Sequence, residues 1–177
     1  MILQDKLKYL ALFTLSLFMI SCSDEDTEVQ PLSTSTIEGS WSLAEINTTP
    51  PVDLEDDGNT DANVMNQTDC FNGMSLDFDT NGNLDMVTSA INFDSSASPS
   101  FDCSTQTSSG SYTINQKDLT VTTQISGNEE TETLNVDVQN NTLSFTLTES
   151  DIADFFSIPG GESFSPITEA EFIYEKD

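Results

Sequence analysis

Gly110-Ser111-Tyr112-Thr113-Ile114, Leu119-Thr120-Val121-Thr122-Thr123-Gln124-Ile125, Leu134-Asn135-Val136-Asp137-Val138 and Leu143-Ser144-Phe145-Thr146-Leu147 are four runs of one kind. In each, large apolar residues alternate with Ser, Thr, Asn or Asp, the period-two signature of a strand with one buried face. Between them stand turn formers: Asn115 to Asp118, Gly127-Asn128 and Gln139-Asn140-Asn141. Short connections between alternating runs predict an antiparallel meander.

The pattern extends upstream and downstream. Ile37 to Asn47 is expected as the first strand, with Trp41 and Leu43 on one face. Met74, Leu76 and Phe78 alternate with Ser75, Asp77 and Asp79, and Thr80-Asn81-Gly82-Asn83 turns the chain into Leu84 and Met86. An Asn-Gly pair there takes up the positive φ that tight hairpins require. Ala170, Phe172 and Tyr174 form a closing strand. The stretches 48–69, 89–108 and 149–168 read as loops, the first blocked by Pro50-Pro51 and offering a short helix over Asp61 to Gln67. About eight strands without a long helix predict an all-β domain, a sandwich or an up-and-down barrel. Closing eight strands leaves an interior filled by side chains or by one small ligand.

The chain begins differently. Residues 1–21 have a basic start at Lys6 and Lys8, an apolar run from Leu10 to Ile20 and a small Ser21, the three parts of a secretory signal. The run falls well short of the roughly 20 residues that span a bilayer. Met19-Ile20-Ser21-Cys22 resembles the bacterial lipoprotein signal, which implies cleavage before Cys22 and acyl chains on it. At ~0.8 kcal/mol per buried methylene, several such chains give durable membrane anchoring. Ser23-Asp24-Glu25-Asp26 resembles the acidic tag that sends lipoproteins of Bacteroidetes-type bacteria to the cell surface. Residues 22–36 are otherwise Ser-, Thr- and acid-rich, the composition of a flexible tether. Residues 37–177 then form one domain.

Charge narrows the function. Four basic residues stand against 31 acids, a formal net charge of −27, and there is no His. Nucleic-acid binding rests on neutralising phosphates with Lys and Arg, so that class is excluded. Lying flat against an anionic bilayer is excluded on the same ground. Catalysis also has little to stand on: Ser has no His base, and beyond the signal the only amines are Lys117 and Lys176. The chain reads as non-enzymatic. An exported chain meets an oxidising compartment, so Cys70 and Cys103 are expected to form a disulfide.

Asp53, Glu55, Asp57, Asn59 and Asp61, with Gly58 between them, resemble the opening of a calcium loop. The twelfth position is Val64 where such a loop supplies a bidentate Glu, so a solvated acidic loop stands beside the calcium reading. Asp77-x-Asp79-x-Asn81-Gly82 fits the same expression, but the hairpin accounts for it.

Gly39-Ser40-Trp41, the 53–58 stretch, Cys70, Phe78-x-x-x-Gly82, Cys103, Gly110-Ser111-Tyr112 and Asn141-x-Leu143 together resemble the lipocalin-like domains of Bacteroidetes lipoproteins. The resemblance implies a single antiparallel eight-stranded barrel with adjacent first and last strands, Trp41 at its closed end, and a habit of binding small apolar molecules. Trp41, Phe155, Phe156 and Phe164 are the candidates for a ligand cavity or its mouth. Two functions follow: an outer-membrane, cell-surface lipoprotein holding a small apolar ligand, or a calcium-steadied module with a solid barrel whose loops meet a surface protein. A cavity of roughly 300 Å³ or more separates them.

Overall fold

The computed structural model describes residues 32–54, 57–93, 101–125, 128–153, 155–157 and 167–177. The signal segment, Cys22, most of the tether, Glu55 and Phe164 lie outside the described residues.

Among the described residues ten strands follow in chain order: β1 (Gly39–Val52), β2 (Asp61–Asn63), β3 (Ser75–Phe78), β4 (Asn83–Phe93), β5 (Phe101–Asn115), β6 (Asp118–Ile125), β7 (Asn128–Gln139), β8 (Thr142–Thr148), β9 (Phe156–Ser157) and β10 (Glu169–Lys176). Eight of them, all but β2 and β9, pair in the order β1-β3-β4-β5-β6-β7-β8-β10, and β10 returns to β1 through Trp41↔Lys176 to Thr49↔Glu169. Every pairing around this ring is antiparallel, so the protein is a closed, eight-stranded, up-and-down barrel. β2 adds to the edge of β1, and β9 runs parallel to β4 at Ile91↔Phe156.

Turn chemistry fixes the register. Gly82 takes the positive φ expected of its turn, at 84°, and the Asn140-Asn141 pair in the turn after β7 is left-handed as well, at φ 49° and 68°. Asp79 nails the β3–β4 hairpin: its Oδ1 accepts the backbone N–H groups of Asn81 and Asn83, each at 2.8 Å. The Tyr112 hydroxyl donates to the Asp79 carbonyl at 2.8 Å, tying that hairpin to β5. Gly110 marks where β5 meets β6, since a Cβ there would run into the Thr122 carbonyl oxygen.

One end of the barrel is closed. A single helical turn, α1 (Thr34–Ile37), lays Ile37 over it, and the Trp41 indole donates to the Ile37 carbonyl at 2.7 Å. Lys176 lies 5.1 Å from the Trp41 ring centre, and Phe78 meets Tyr112 edge-on at 5.0 Å. Trp41, Ile37, Phe78 and Tyr112 are buried. Aromatic and aliphatic side chains therefore fill this end.

Three expectations need correction. Pro50-Pro51 does not end β1, which runs on to Val52; ladder pairing to β10 stops at Thr49, so neither proline removes a needed donor. The helix expected over Asp61 to Gln67 is instead β2 and one 3₁₀ turn (Val64–Asn66). Much of the loop expected at 89–108 is strand: β4 reaches Phe93, and β5 begins at Phe101 and pairs with it through Phe93↔Phe101.

Candidate functional site

The other end of the barrel is hollow. Beyond the dry layer lies a cavity of about 780 Å³, open to solvent. Its floor and lower walls are apolar, with Leu76, Phe78 and Leu84 on one side and Leu119, Leu134 and Phe145 on the other. Its upper wall is polar, formed by Ser104, Gln106 and Ser108 of β5, Thr123 of β6, and Glu130 and Glu132 of β7.

The upper wall follows from strand period. Along β7, Glu130 and Glu132 share the face of Leu134 and Val136, so the alternation that buries the lower half aims carboxylates along the upper half. In a solid barrel such an inward carboxylate would cost several kcal/mol of desolvation. Here both glutamates stay exposed because that face meets open space. On β5, Ser104, Gln106 and Ser108 share the face of Tyr112 in the same way.

The wall also parts. Pairing of β7 with β8 runs only from Gln139↔Thr142 to Val136↔Phe145, although β7 begins at Asn128 and β8 continues to Thr148. Likewise β5 meets β6 only over Gly110 to Asn115, leaving 101–109 paired to β4 alone. The β6–β7 ribbon therefore stands away from its neighbours at the open end. Across the gap from Glu130 and Glu132 stands the helical turn α2 (Glu149–Ile152), whose Ser150 and Asp151 also line the cavity. Asp151 accepts hydrogen bonds from Thr148 and Ser150, each at 3.1 Å, which hold its carboxylate at the rim.

After α2 the chain crosses the open end to β4, where the Ile91 N–H donates to the Phe155 carbonyl at 2.8 Å. Phe155 points into the cavity, 4.9 Å from Phe172. Its neighbour Phe156 does not line the cavity but is buried against Phe71 at 5.5 Å. Of the four aromatic candidates, Phe155 alone is found lining the cavity; Trp41 sits at the closed end, Phe156 faces outward and Phe164 is outside the described residues. Tyr174 lines the wall too, and burial pushes its phenol well above the ordinary range, so it stays a neutral hydroxyl.

Cys70 and Cys103 form a disulfide, with Cα atoms 5.3 Å apart. It ties the segment before β3 to the outer face of β5, beside the Phe71–Phe156 contact.

The acidic loop is a chain of turns. Asp53 accepts the backbone N–H groups of Asp57 at 3.2 Å and Gly58 at 2.7 Å. Asp57 accepts both the side-chain and backbone N–H of Asn59, which hold its carboxyl below the usual range. Asp61 accepts from Asn63 and Asn66. Their oxygens are spent on neighbouring N–H groups. Among the described residues, no three or more His, Cys, Asp or Glu side chains come together as a metal site, and Glu55 lies outside them.

The polar lining is not foreseen from sequence because Ser104, Gln106 and Ser108 fall in the stretch expected as a loop, and Glu130 and Glu132 precede the Leu134-Val136 run without a role of their own. The available signal was parity: counting back by twos from Leu134 lands on both glutamates. No family model, curated protein or solved structure matches the chain.

Proposed function

We propose that the protein is an exported, lipid-anchored, non-enzymatic carrier or receptor that holds one small, largely apolar molecule inside its barrel. The observation that carries this reading is the cavity of about 780 Å³, apolar below and open above. Ligand sites of this kind run from about 300 to 1,000 Å³, so a molecule of lipid or steroid size fits. Among the described residues, side chains leave this space in the ring unfilled, which disfavours the solid-module alternative. The anchoring half of the reading rests on the sequence around Cys22 and on its resemblance to lipoprotein signals. The acidic tether and the absence of any basic face are in keeping with display at the cell surface rather than contact with anionic headgroups.

The test is a titration of the chain without its signal and Cys22, residues 23–177, which keeps α1 and its Ser33 cap, with neutral N-phenyl-1-naphthylamine, whose fluorescence rises in apolar surroundings. Saturable enhancement at one probe per chain, reversed by a lipid extract of the native host, is expected. Fluorescence that stays at its value in buffer would overturn the proposal. Metabolic labelling with palmitate addresses the anchor separately: label should enter the full-length chain and be lost in Cys22→Ala.

A further inference from the structure

Resting on the binding reading above, we infer that the ligand is an apolar body with an oxygen function at each end, the inner oxygen accepting from the Tyr174 hydroxyl on the cavity floor. Tyr174 lines the cavity and is only 2% exposed. On β10 it stands two residues before Lys176, whose ammonium lies over Trp41 at the closed end. Its ring therefore belongs to the floor, where Phe145 stacks on it at 6.0 Å.

The two tyrosines of the barrel differ in what they bond. The Tyr112 hydroxyl donates to the Asp79 carbonyl at 2.8 Å, whereas the Tyr174 hydroxyl has no partner among the described residues. Burial pushes the Tyr174 phenol up with no hydrogen bond opposing it. Among the described residues, no unpartnered side-chain oxygen or nitrogen is sealed from solvent. This hydroxyl therefore keeps an opening, and the cavity is the space beside it. Buried hydroxyls are found hydrogen-bonded because leaving one unpaired is costly. Water in an open cavity can serve it, but an apolar ligand end that displaces the water leaves it with nothing. A ligand oxygen in that place restores the bond.

Toward the mouth, β5 brings Gln106 and Ser108 into the lining, and among the described residues neither side chain has a partner. Ser104 beside them accepts from the Asn92 amide at 3.0 Å and keeps its own proton to donate. The lining in between includes Leu84, Met86, Leu119, Val121 and Leu134. Hydrogen-bonding groups at both ends of an apolar shaft match a molecule built the same way: a long-chain diol, or a ring skeleton oxygenated at both ends. A chain whose inner end is a methyl group leaves Tyr174 unserved.

Decane-1,10-diol and decanol share a chain and differ by one terminal hydroxyl. Each would be titrated against N-phenyl-1-naphthylamine bound to residues 23–177. Decanol can turn its single hydroxyl to the mouth, whereas the diol has an oxygen at the floor in either orientation. In Tyr174→Phe the diol concentration for half-displacement should rise about tenfold, the effect of one lost hydrogen bond, while that of decanol changes by less than about twofold. Tyr112→Phe, which removes a hydroxyl already engaged with Asp79, should leave the ratio between the two ligands unchanged. With ¹³Cζ-labelled tyrosine, the diol should shift the Tyr174 resonance saturably and leave that of Tyr112 in place.

Equal losses for diol and decanol in Tyr174→Phe would overturn the inference while leaving the cavity reading in place. A Tyr174 resonance that stays fixed as the diol displaces the probe would do the same, as would a diol that cannot displace it where decanol can. Since its hydroxyl bonds to no described protein group, Tyr174→Phe should keep the thermal midpoint of the parent chain; a marked fall would reveal a protein partner and overturn the inference too. Failure of both the naphthylamine probe and decanol to bind would remove the cavity reading and this inference together.

Discussion

Asp79 shows how one side chain can hold a hairpin. Its two carboxylate oxygens accept from the backbone and side chains of both Asn81 and Asn83. These bonds favour the charged form and draw the carboxyl from 3.8 down to about 2, the Asn83 side chain contributing most. A carboxyl whose folded value is depressed stabilises the native state above its unfolded value and loses that contribution as pH falls. For Asp79 the window runs from pH 3.8 down to about 2. Carbon-detected NMR titration should find the Asp79 carboxyl titrating near the bottom of that window, and a midpoint close to 3.8 would show the turn bonds absent in solution. The motif was visible in the sequence as a hairpin. Its likeness to a metal loop is explained by the same habit of Asp and Asn, whose oxygens accept neighbouring backbone N–H groups. The Asp53 to Asp61 stretch behaves alike.

At the scale of elements, the strands with apolar alternation were legible, and those without it were not. Leu119-Thr120-Val121 and Leu143-Ser144-Phe145 put only apolar residues on the inner face, Leu119 and Leu143 buried and Val121 and Phe145 partly so, and their pattern reports that face directly. The first half of β5 faces the cavity with Ser104, Gln106 and Ser108 and faces solvent on its other side, so neither face is apolar. Period-two reasoning had nothing to detect there. Pairing with β4 and the Cys70–Cys103 disulfide hold that half in place. The disulfide closes a separation of 33 residues, for which chain entropy gives about 3–4 kcal/mol. Urea unfolding of Cys70→Ala/Cys103→Ala should show a loss of about that size. An unchanged midpoint would mean that the hairpin is secured by its other contacts alone. The segment after β8, expected as a loop, carries two adjacent phenylalanines with separate places: Phe155 lines the cavity and Phe156 packs on Phe71.

For the whole molecule, the decisive feature is that the ring is larger than its side chains can fill. The aromatic layer around Trp41, Phe78 and Tyr112 completes one end, and among the described residues no comparable layer occupies the other. Hydrophobic periodicity specifies which residues face inward but not how much space they leave, so the sequence alone allows either a solid or a hollow barrel. Enlarging an inward residue distinguishes them. In a packed core a larger side chain costs about 1–3 kcal/mol. Leu134→Phe should instead leave the thermal midpoint nearly unchanged while weakening the naphthylamine probe, because its extra volume enters open space. A destabilisation of the packed-core size would argue for a filled interior.

Methionine methyls place the ligand most directly. Met74 and Met86 line the cavity, whereas Met65 sits on the 3₁₀ turn outside it. With ¹³C-methyl methionine incorporated into the domain, decanol titration should move the Met74 and Met86 resonances saturably and leave Met65 in place. If Met74 and Met86 stay fixed at saturating decanol, or only Met65 responds, the barrel does not hold the ligand and the account is wrong.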